Sequence, residues 1–432
     1  MVNKTLRSDK TLIVQGKQIP KGIVNVSGAK NAATRLQAAS LLSDEKVTLK
    51  NFPTELVDAN YKLDFILKVG GDSIFDNQNE LCITEPGELS DEILADYNYP
   101  IRTTYLLVPG LLKRAGIARI PYPGGCNIGK RKYDLHLMVW ERMGAEVEEK
   151  SNYIEVRANK LKGAEINFPI STIGGTESAL LCGSIADGKT IIRNAYISPE
   201  IDNLINFLDN VGINIKVIGN SYIEVQGSNY IRGTSHEVIP DRIEALTWII
   251  YGVLSGGDIF INNVPFEYMK VPLIHLRDAG VDFYKNSDSI YITSSCTPYG
   301  IQPFEIATGT YPGIISDMQP FFTLLGLKAQ GISRIYDYRY PERTKYLEEL
   351  SNFCPGSIDW ANGKIKINGP VIFQAAKACS TDLRGGMALV LASMLSENGE
   401  STVNKVEMAL RGYNRLEEKL KNLGVKITIT EQ

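Results

Sequence analysis

The feature that most narrows what this chain can fold into is a glycine that returns in phase. An apolar helical stretch closing on Gly and leading into a Val or Ile strand recurs at Leu67-Lys-Val-Gly-Gly71, Arg142-Met-Gly-Ala-Glu-Val147, Asn210-Val-Gly-Ile-Asn-Ile215, Asp278-Ala-Gly-Val-Asp-Phe283 and Asn422-Leu-Gly-Val-Lys-Ile427. The glycines stand at 70, 144, 212, 280 and 424, so the first three spacings are 74, 68 and 68, and the last is 144, twice 72. A weaker copy, Cys354-Pro-Gly356, falls in that double gap. The 432 residues therefore divide into six units of about 72, and self-similarity at a fixed period is the signature of a repeat architecture.

Within each unit, a polar or charged residue opens an apolar helical stretch, as at Lys30-Asn31, Arg102-Thr103, Gly174-Gly175, Asp241-Arg242, Asp317-Met318 and Asp382-Leu383. A strand follows, for example 47–51, 116–120, 190–194 or 258–262, and then a second, amphipathic helix such as 203–210. That helix ends at the phased glycine, where a left-handed residue commonly stops a helix. One or two strands of alternating pattern, such as 222–225, complete the unit. Each unit reads as βαβαββ, and the chain is too long for one hydrophobic core, so an α/β protein of two three-unit domains is expected.

Lys and Arg total 46 against 49 Asp and Glu, a net charge of −3, which offers no general attraction to a phosphate backbone and excludes nucleic acid as a first reading. The longest strongly apolar stretch, near 245–254, is far shorter than the ~20 residues that span a bilayer, and residues 1–10 have no apolar signal core. A soluble, cytoplasmic protein without membrane partners is expected. The six cysteines, 82, 126, 182, 296, 354 and 379, show no CxxC or CxH pairing, so neither a disulfide framework nor a bound metal is expected.

Helix N-termini carry partial positive charge and unpaired N–H groups, so six of them opening toward one ligand would favour an anion. Lys30, Arg102, Arg131, Arg343, Arg384 and Arg411 add cations suited to a substrate carrying carboxylate and phosphate. Cys126 lies in a glycine-rich loop just before Lys130, Arg131 and Lys132, and nearby cations favour the reactive thiolate. The alternative for Cys126 is an inert thiol in a turn; Cys182 and Cys379, among apolar or small neighbours, read as packing residues, and Cys82 and Cys296 as structural. Asp317 reads either as a helix N-cap or as a general base, and Asp241 and Asp382 as caps or hinge residues. His136, in Asp134-Leu135-His136, reads as a hydrogen-bonded structural histidine.

Taken together, Ser27-Gly-Ala-Lys-Asn-Ala32, Pro123-Gly-Gly-Cys-Asn-Ile-Gly129 with Arg131 and Asp134-Leu-His136, Pro240-Asp-Arg-Ile-Glu244, Ser316-Asp-Met-Gln319, Thr381-Asp-Leu-Arg384 and Arg411-Gly-Tyr413 resemble the UDP-N-acetylglucosamine enolpyruvyl transferases. The resemblance runs in order over essentially the whole chain. It implies a two-domain inside-out α/β barrel of six βαβαββ repeats, with a first domain over 30–238 carrying the cysteine loop and a second over 1–29 plus 239–432, hinged by two strands. It implies an enzyme without a cofactor, acting on phosphoenolpyruvate and a UDP-sugar. By residue, Cys126 would protonate the phosphoenolpyruvate methylene, and Lys30, Arg131, Arg384 and Arg411 would hold its phosphate and carboxylate. Asp317 would be the base beside the sugar hydroxyl. Asn31, Arg102, Arg131, Lys132, Tyr133, Asp134, Leu135, Ser171, Thr172, Ile173, Gly174, Ser316, Asp317, Arg339 and Arg343 would contact the nucleotide sugar.

Four departures bear on the acceptor. Lys132-Tyr133 replaces the family's usual Pro-hydrophobic pair, the 169–174 stretch lacks a common Lys, Leu410 stands where an acidic residue is usual, and the loop Thr308-Gly-Thr-Tyr-Pro-Gly-Ile-Ile315 differs from the family's usual run. Three readings follow: transfer to UDP-N-acetylglucosamine in peptidoglycan synthesis, the same chemistry on another nucleotide or UDP-sugar, and a non-catalytic ligand-binding homologue.

Overall fold

The structure, a computed structural model, describes residues 9–90, 101–122, 124 and 132–431; Cys126 and Arg131 lie outside the described residues. These residues form two compact units, one within 28–239 and the other formed by 9–27 with 240–431.

Each unit holds three sheets. In the first, the strands run in spatial order Thr234–Glu237, Val47–Lys50, Leu81–Glu85, Asp72–Asp76; then Asn214–Ile218, Tyr222–Gln226, Lys189–Ala195, Glu165–Thr172; and Ile117–Pro121, Tyr153–Arg157, Glu146–Glu149. In the second they run Lys21–Asn25, Asp258–Asn262, Ser289–Ile292, Tyr284–Lys285; then Glu305–Thr308, Ile332–Asp337, Lys364–Asn368, Ile358–Ala361; and Lys377–Cys379, Glu400–Asn404, Lys10–Gln15, Ile427–Glu431. Each four-stranded sheet has one parallel pair at an edge and antiparallel pairing elsewhere.

The repeat is complete and contiguous over 165–226, where strand, helix Ile173–Ile185, strand, helix Pro199–Asn210 and two strands follow in sequence. At the two passages between units the pattern is exchanged. Lys21–Asn25, which precedes the helix Lys30–Ala39, pairs with Asp258–Asn262, whereas Thr234–Glu237, which precedes the helix Arg242–Ser255, pairs with Val47–Lys50. The strand before each passage thus stays behind in the unit the chain is leaving.

In four of the repeats the first helix is the apolar one. Arg242–Ser255, Gln319–Leu327 and Leu383–Leu395 are buried along nearly their whole length, as is Ile173–Ile185, so sheets or helices cover them on all sides. The second helices are amphipathic, and those ending at Lys68, Arg142, Asn210, Asp278 and Asn422 stop two residues before a phased glycine; Gly70, Gly144, Gly212, Gly280 and Gly424 all have positive φ, between 71° and 98°. A residue with a Cβ is strained in that region; Gly356 shares the positive φ, at 73°, but the helix of its repeat, Lys345–Leu350, ends six residues earlier.

Candidate active site

In the first unit, sterics fix the start of the helix Lys30–Ala39. A Cβ on Gly28 would lie 1.9 Å from the Asn51 carbonyl oxygen, so only glycine lets the chain pass. The Ala29 N–H donates to the Ile239 carbonyl at 2.7 Å, and Lys30 then begins the helix with Nζ 2.9 Å from Asp58 Oδ2. One turn beyond Asp58 on the helix Val57–Lys68, Lys62 is fully buried and donates to the Thr34 carbonyl at 2.6 Å and the Thr103 carbonyl at 3.2 Å. Burial, helped by Arg35 and opposed by Glu177 and Asp58, drives its pKa well below the usual lysine range. Arg35 in turn holds Glu177 Oε1 at 2.6 Å and Asn31 Oδ1 at 3.3 Å. Lys30 and Asn31 therefore emerge from one buried ionic network, and Lys62 ties that network to the main chain beside Arg102.

Arg102 donates from Nη2 to the Lys132 carbonyl at 2.5 Å, joining two of the expected site residues. Lys132 and Asp134 are exposed, and Tyr133 and Leu135 are partly exposed. The Tyr133 hydroxyl donates to Glu149 at 2.6 Å, a bond that, with some burial, raises the phenol pKa to about 12. His136 turns inward: Nδ1 is 2.6 Å from Ser178 Oγ, and the ring lies 4.6 Å from that of Tyr105. Burial, assisted by Arg102, lowers its pKa to about 3, so it is neutral and structural. Ser171 and Thr172 end a strand whose Thr172 hydroxyl caps the helix Ile173–Ile185 by accepting from the Gly175 N–H at 3.3 Å. Gly174 packs on the His136 ring, and Ile170 and Ile173 are exposed on either side of the cap.

In the second unit, Asp317 is not the helix cap that its position suggested. It sits in the short 3-10 turn Ser316–Met318 that precedes the helix Gln319–Leu327, whose N-cap position is taken by Met318. Its Oδ1 accepts from Arg343 Nη1 at 2.7 Å, and Oδ2 lies 3.7 Å from Arg384 Nε. Arg343 Nη2 donates to Asp382 Oδ1 at 2.8 Å, while Asp382 caps the helix Leu383–Leu395 through the Arg384 and Gly385 N–H groups. Asp241 caps Arg242–Ser255 in the same manner and lies 3.8 Å from Arg384 Nη2.

Arg343, Arg384 and Arg411 are each at most 4% exposed. Burial disfavours the charged guanidinium, yet Asp382 and Asp317 outweigh it at Arg343, and Tyr413, Asp241 and Asp317 do so at Arg384; both pKa values are raised. Three of their donors, Nε of Arg343 and Nε and Nη1 of Arg384, are buried without an acceptor. Such unmet donors cost about 1–3 kcal/mol each, and a bound carboxylate or phosphate is the group that would satisfy them. Among the described cysteines, 82, 182, 296 and 354 are buried and 379 is half-buried, and burial raises the thiol pKa of each. They are poor nucleophiles, as the sequence context of Cys82, Cys182, Cys296 and Cys379 suggested.

Two functional-looking residues escaped the sequence reading. Lys62 lies four residues after Asp58 on an ordinary amphipathic helix, and Asp337 ends a strand. Only the i, i+4 pairing of Asp58 with Lys62 could have flagged the first.

Comparison with known proteins bears on this geometry. The family model for EPSP synthase (3-phosphoshikimate 1-carboxyvinyltransferase) matches residues 14–420. A UDP-N-acetylglucosamine 1-carboxyvinyltransferase of Beijerinckia indica is 36% identical, covering 97% of this chain and 98% of that protein. The chain belongs to the UDP-N-acetylglucosamine 1-carboxyvinyltransferase family. A member from Halothermothrix orenii is 34% identical, with 96% of this chain and 98% of the relative covered. Among solved structures, the enolpyruvyl transferase NikO from Streptomyces tendae superposes with a TM-score of 0.86 at 23% identity, covering 98% of this chain and all of that one. EPSP synthase from Acinetobacter baumannii gives 0.75 at 16% identity, with the same coverage. The fold is that of the enolpyruvyl transferases, and the protein is an enzyme of the carboxyvinyl-transferase type. No helix among the described residues is long and apolar enough to cross a membrane.

Proposed function

We propose that this enzyme transfers the enolpyruvyl group of phosphoenolpyruvate to the 3-hydroxyl of UDP-N-acetylglucosamine, releasing phosphate, as a step of peptidoglycan precursor synthesis. The observation that carries the reading is the full-length similarity, at 34–36% identity, to relatives bearing that activity in their names. The unmet donors of Arg343 and Arg384 support an anionic substrate.

In this reading Cys126 delivers a proton to C3 of phosphoenolpyruvate while the sugar oxygen bonds to C2 and Asp317 receives the hydroxyl proton. The tetrahedral adduct then loses phosphate from C2 and a proton from C3, restoring the double bond. Lys30, Arg131, Arg384 and Arg411 bind the phosphate and carboxylate. Asp317, oriented by Arg343, faces the acceptor with Ser316 and Arg339, and Asn31, Arg102, Lys132 to Leu135 and Ser171 to Gly174 hold the nucleotide. Excluding water from the bound substrates would remove the competitor of the sugar hydroxyl.

The test is phosphate release from phosphoenolpyruvate with UDP-N-acetylglucosamine, against UMP and other UDP-sugars. Turnover with UDP-N-acetylglucosamine is expected, with Asp317→Asn and Cys126→Ala each losing about 10²–10⁴-fold in kcat, the usual worth of a positioned acid or base. Fosfomycin should alkylate Cys126 when the nucleotide sugar is present. Turnover only with a different acceptor would replace the sugar in this reading, and full activity of both variants would remove the assigned chemistry.

A further inference from the structure

One carboxylate organises most of the second unit's candidate residues, and no motif announced it. Asp337 ends the strand Ile332–Asp337, is 2% exposed, and accepts four hydrogen bonds from neutral donors. The Thr308 hydroxyl donates to Oδ1 at 2.7 Å and the Ser316 hydroxyl to Oδ2 at 2.5 Å. The main-chain N–H groups of Arg339 and Tyr340 donate to Oδ1 at 3.1 and 2.8 Å. The first pair ties down both ends of the segment 308–316, which leads directly into Asp317. The second pair shapes the turn carrying Arg339, and the Arg343 N–H continues that turn by donating to the Tyr340 carbonyl at 2.9 Å.

We propose that Asp337 is a positioning residue that sets Asp317 and Arg343 in register with each other. The ion pair at 2.7 Å joins residues on two separate segments, and each segment is anchored on the opposite side by this one carboxylate. A charged oxygen acceptor suits the task because Oδ1 takes three donors at once, two of them main-chain N–H groups that cannot reverse their polarity. The proposal rests on the role given to Asp317 above, but its physical core, a coupling between two segments, does not require the acceptor to be known.

The experiment compares Asp337→Ala and Asp337→Asn in the full-length enzyme by hydrogen exchange over 308–318 and 336–345 and by steady-state kinetics. Asn can keep Oδ1 and its three donors, and its amide can donate to Ser316 Oγ once that hydroxyl turns. The Ala variant should exchange faster in both segments together and lose about 10–100-fold in kcat, with KM for phosphoenolpyruvate changing by less than about threefold. The Asn variant should show near-parental exchange and recover most of the kcat. If Ala does not fold, Ser316→Ala serves: it should lower kcat and loosen 308–318, while 336–345, which keeps the Arg339 and Tyr340 N–H bonds to Oδ1, exchanges at the parental rate. Loosening of only one segment in Asp337→Ala, equal losses in Ala and Asn, or parental exchange over 308–318 in Ser316→Ala would overturn the proposal. If the parent enzyme turns over no acceptor while the exchange pattern holds, the functional reading fails and the positioning role stands.

Discussion

His136 carries a pH dependence that can be worked out with its sign. Its folded pKa is about 3, against about 6.5 for an unperturbed histidine. As pH falls below about 6.5 the unfolded chain takes up a proton that the folded chain refuses until about 3, so stability is intact above the upper value and lost progressively toward the lower. The full loss is on the order of 4–5 kcal/mol, of which about 2–3 should be gone by pH 4.5. In urea titrations at pH 7 and pH 4.5, His136→Gln should therefore lose less stability between the two than the parent does. Parallel losses would mean that His136 is not the titrating group. The structural role of this residue was legible because Asp134-Leu-His starts a helix whose third residue faces inward. The roles of Lys62 and Asp337 were not, because a buried lysine and a strand-end aspartate look locally like surface residues, and only tertiary contacts reveal their acceptors and donors.

At the scale of elements, the phased glycines located the second helices because positive φ is a backbone requirement that one residue type meets without strain. The apolar first helices were located by composition alone, and their starts fall within a few residues of the expected positions. Of the two readings of Asp317, the cap falls away because a 3-10 turn is inserted before the helix, shifting its first residue to Gln319. Turns of that kind depend on how the segment is anchored, here by Asp337, and carry no periodic signal. Gly28 is the element-scale position with the least tolerance. Gly28→Ala would force a Cβ against the Asn51 carbonyl and should destabilise the fold by at least about 1–3 kcal/mol, read as a lowered urea midpoint. The displaced Lys30 should also raise KM for phosphoenolpyruvate. An unchanged midpoint would show that the chain can move aside at no cost.

At the scale of the molecule, the exchange of strands between units was invisible to a repeat counted along the sequence, since the phase is kept while the partners change. Its consequence is testable by truncation. Removing residues 1–27 deletes Lys10–Gln15, an interior strand between Glu400–Asn404 and Ile427–Glu431, and Lys21–Asn25, the parallel partner of Asp258–Asn262. Hydrogen exchange on such a chain should show lost protection across 240–431 and retained protection across 28–239. Uniform loss, or none, would contradict this division.

That interior strand also fixes an order of events during synthesis. Val14 pairs with Ile427 and Lys10 with Glu431, so the sheet that holds this strand cannot close until the residues lying between the two strands have been synthesised. At about 5–20 residues per second the wait is on the order of 20–80 s. The unit within 28–239 has all its strands as soon as Thr234–Glu237 emerges, and it can fold while the apolar Leu12 and Val14 are still without a partner. The nascent chain must therefore keep residues 10–15 soluble throughout that interval, which makes them a segment where a chaperone has a long opportunity to act.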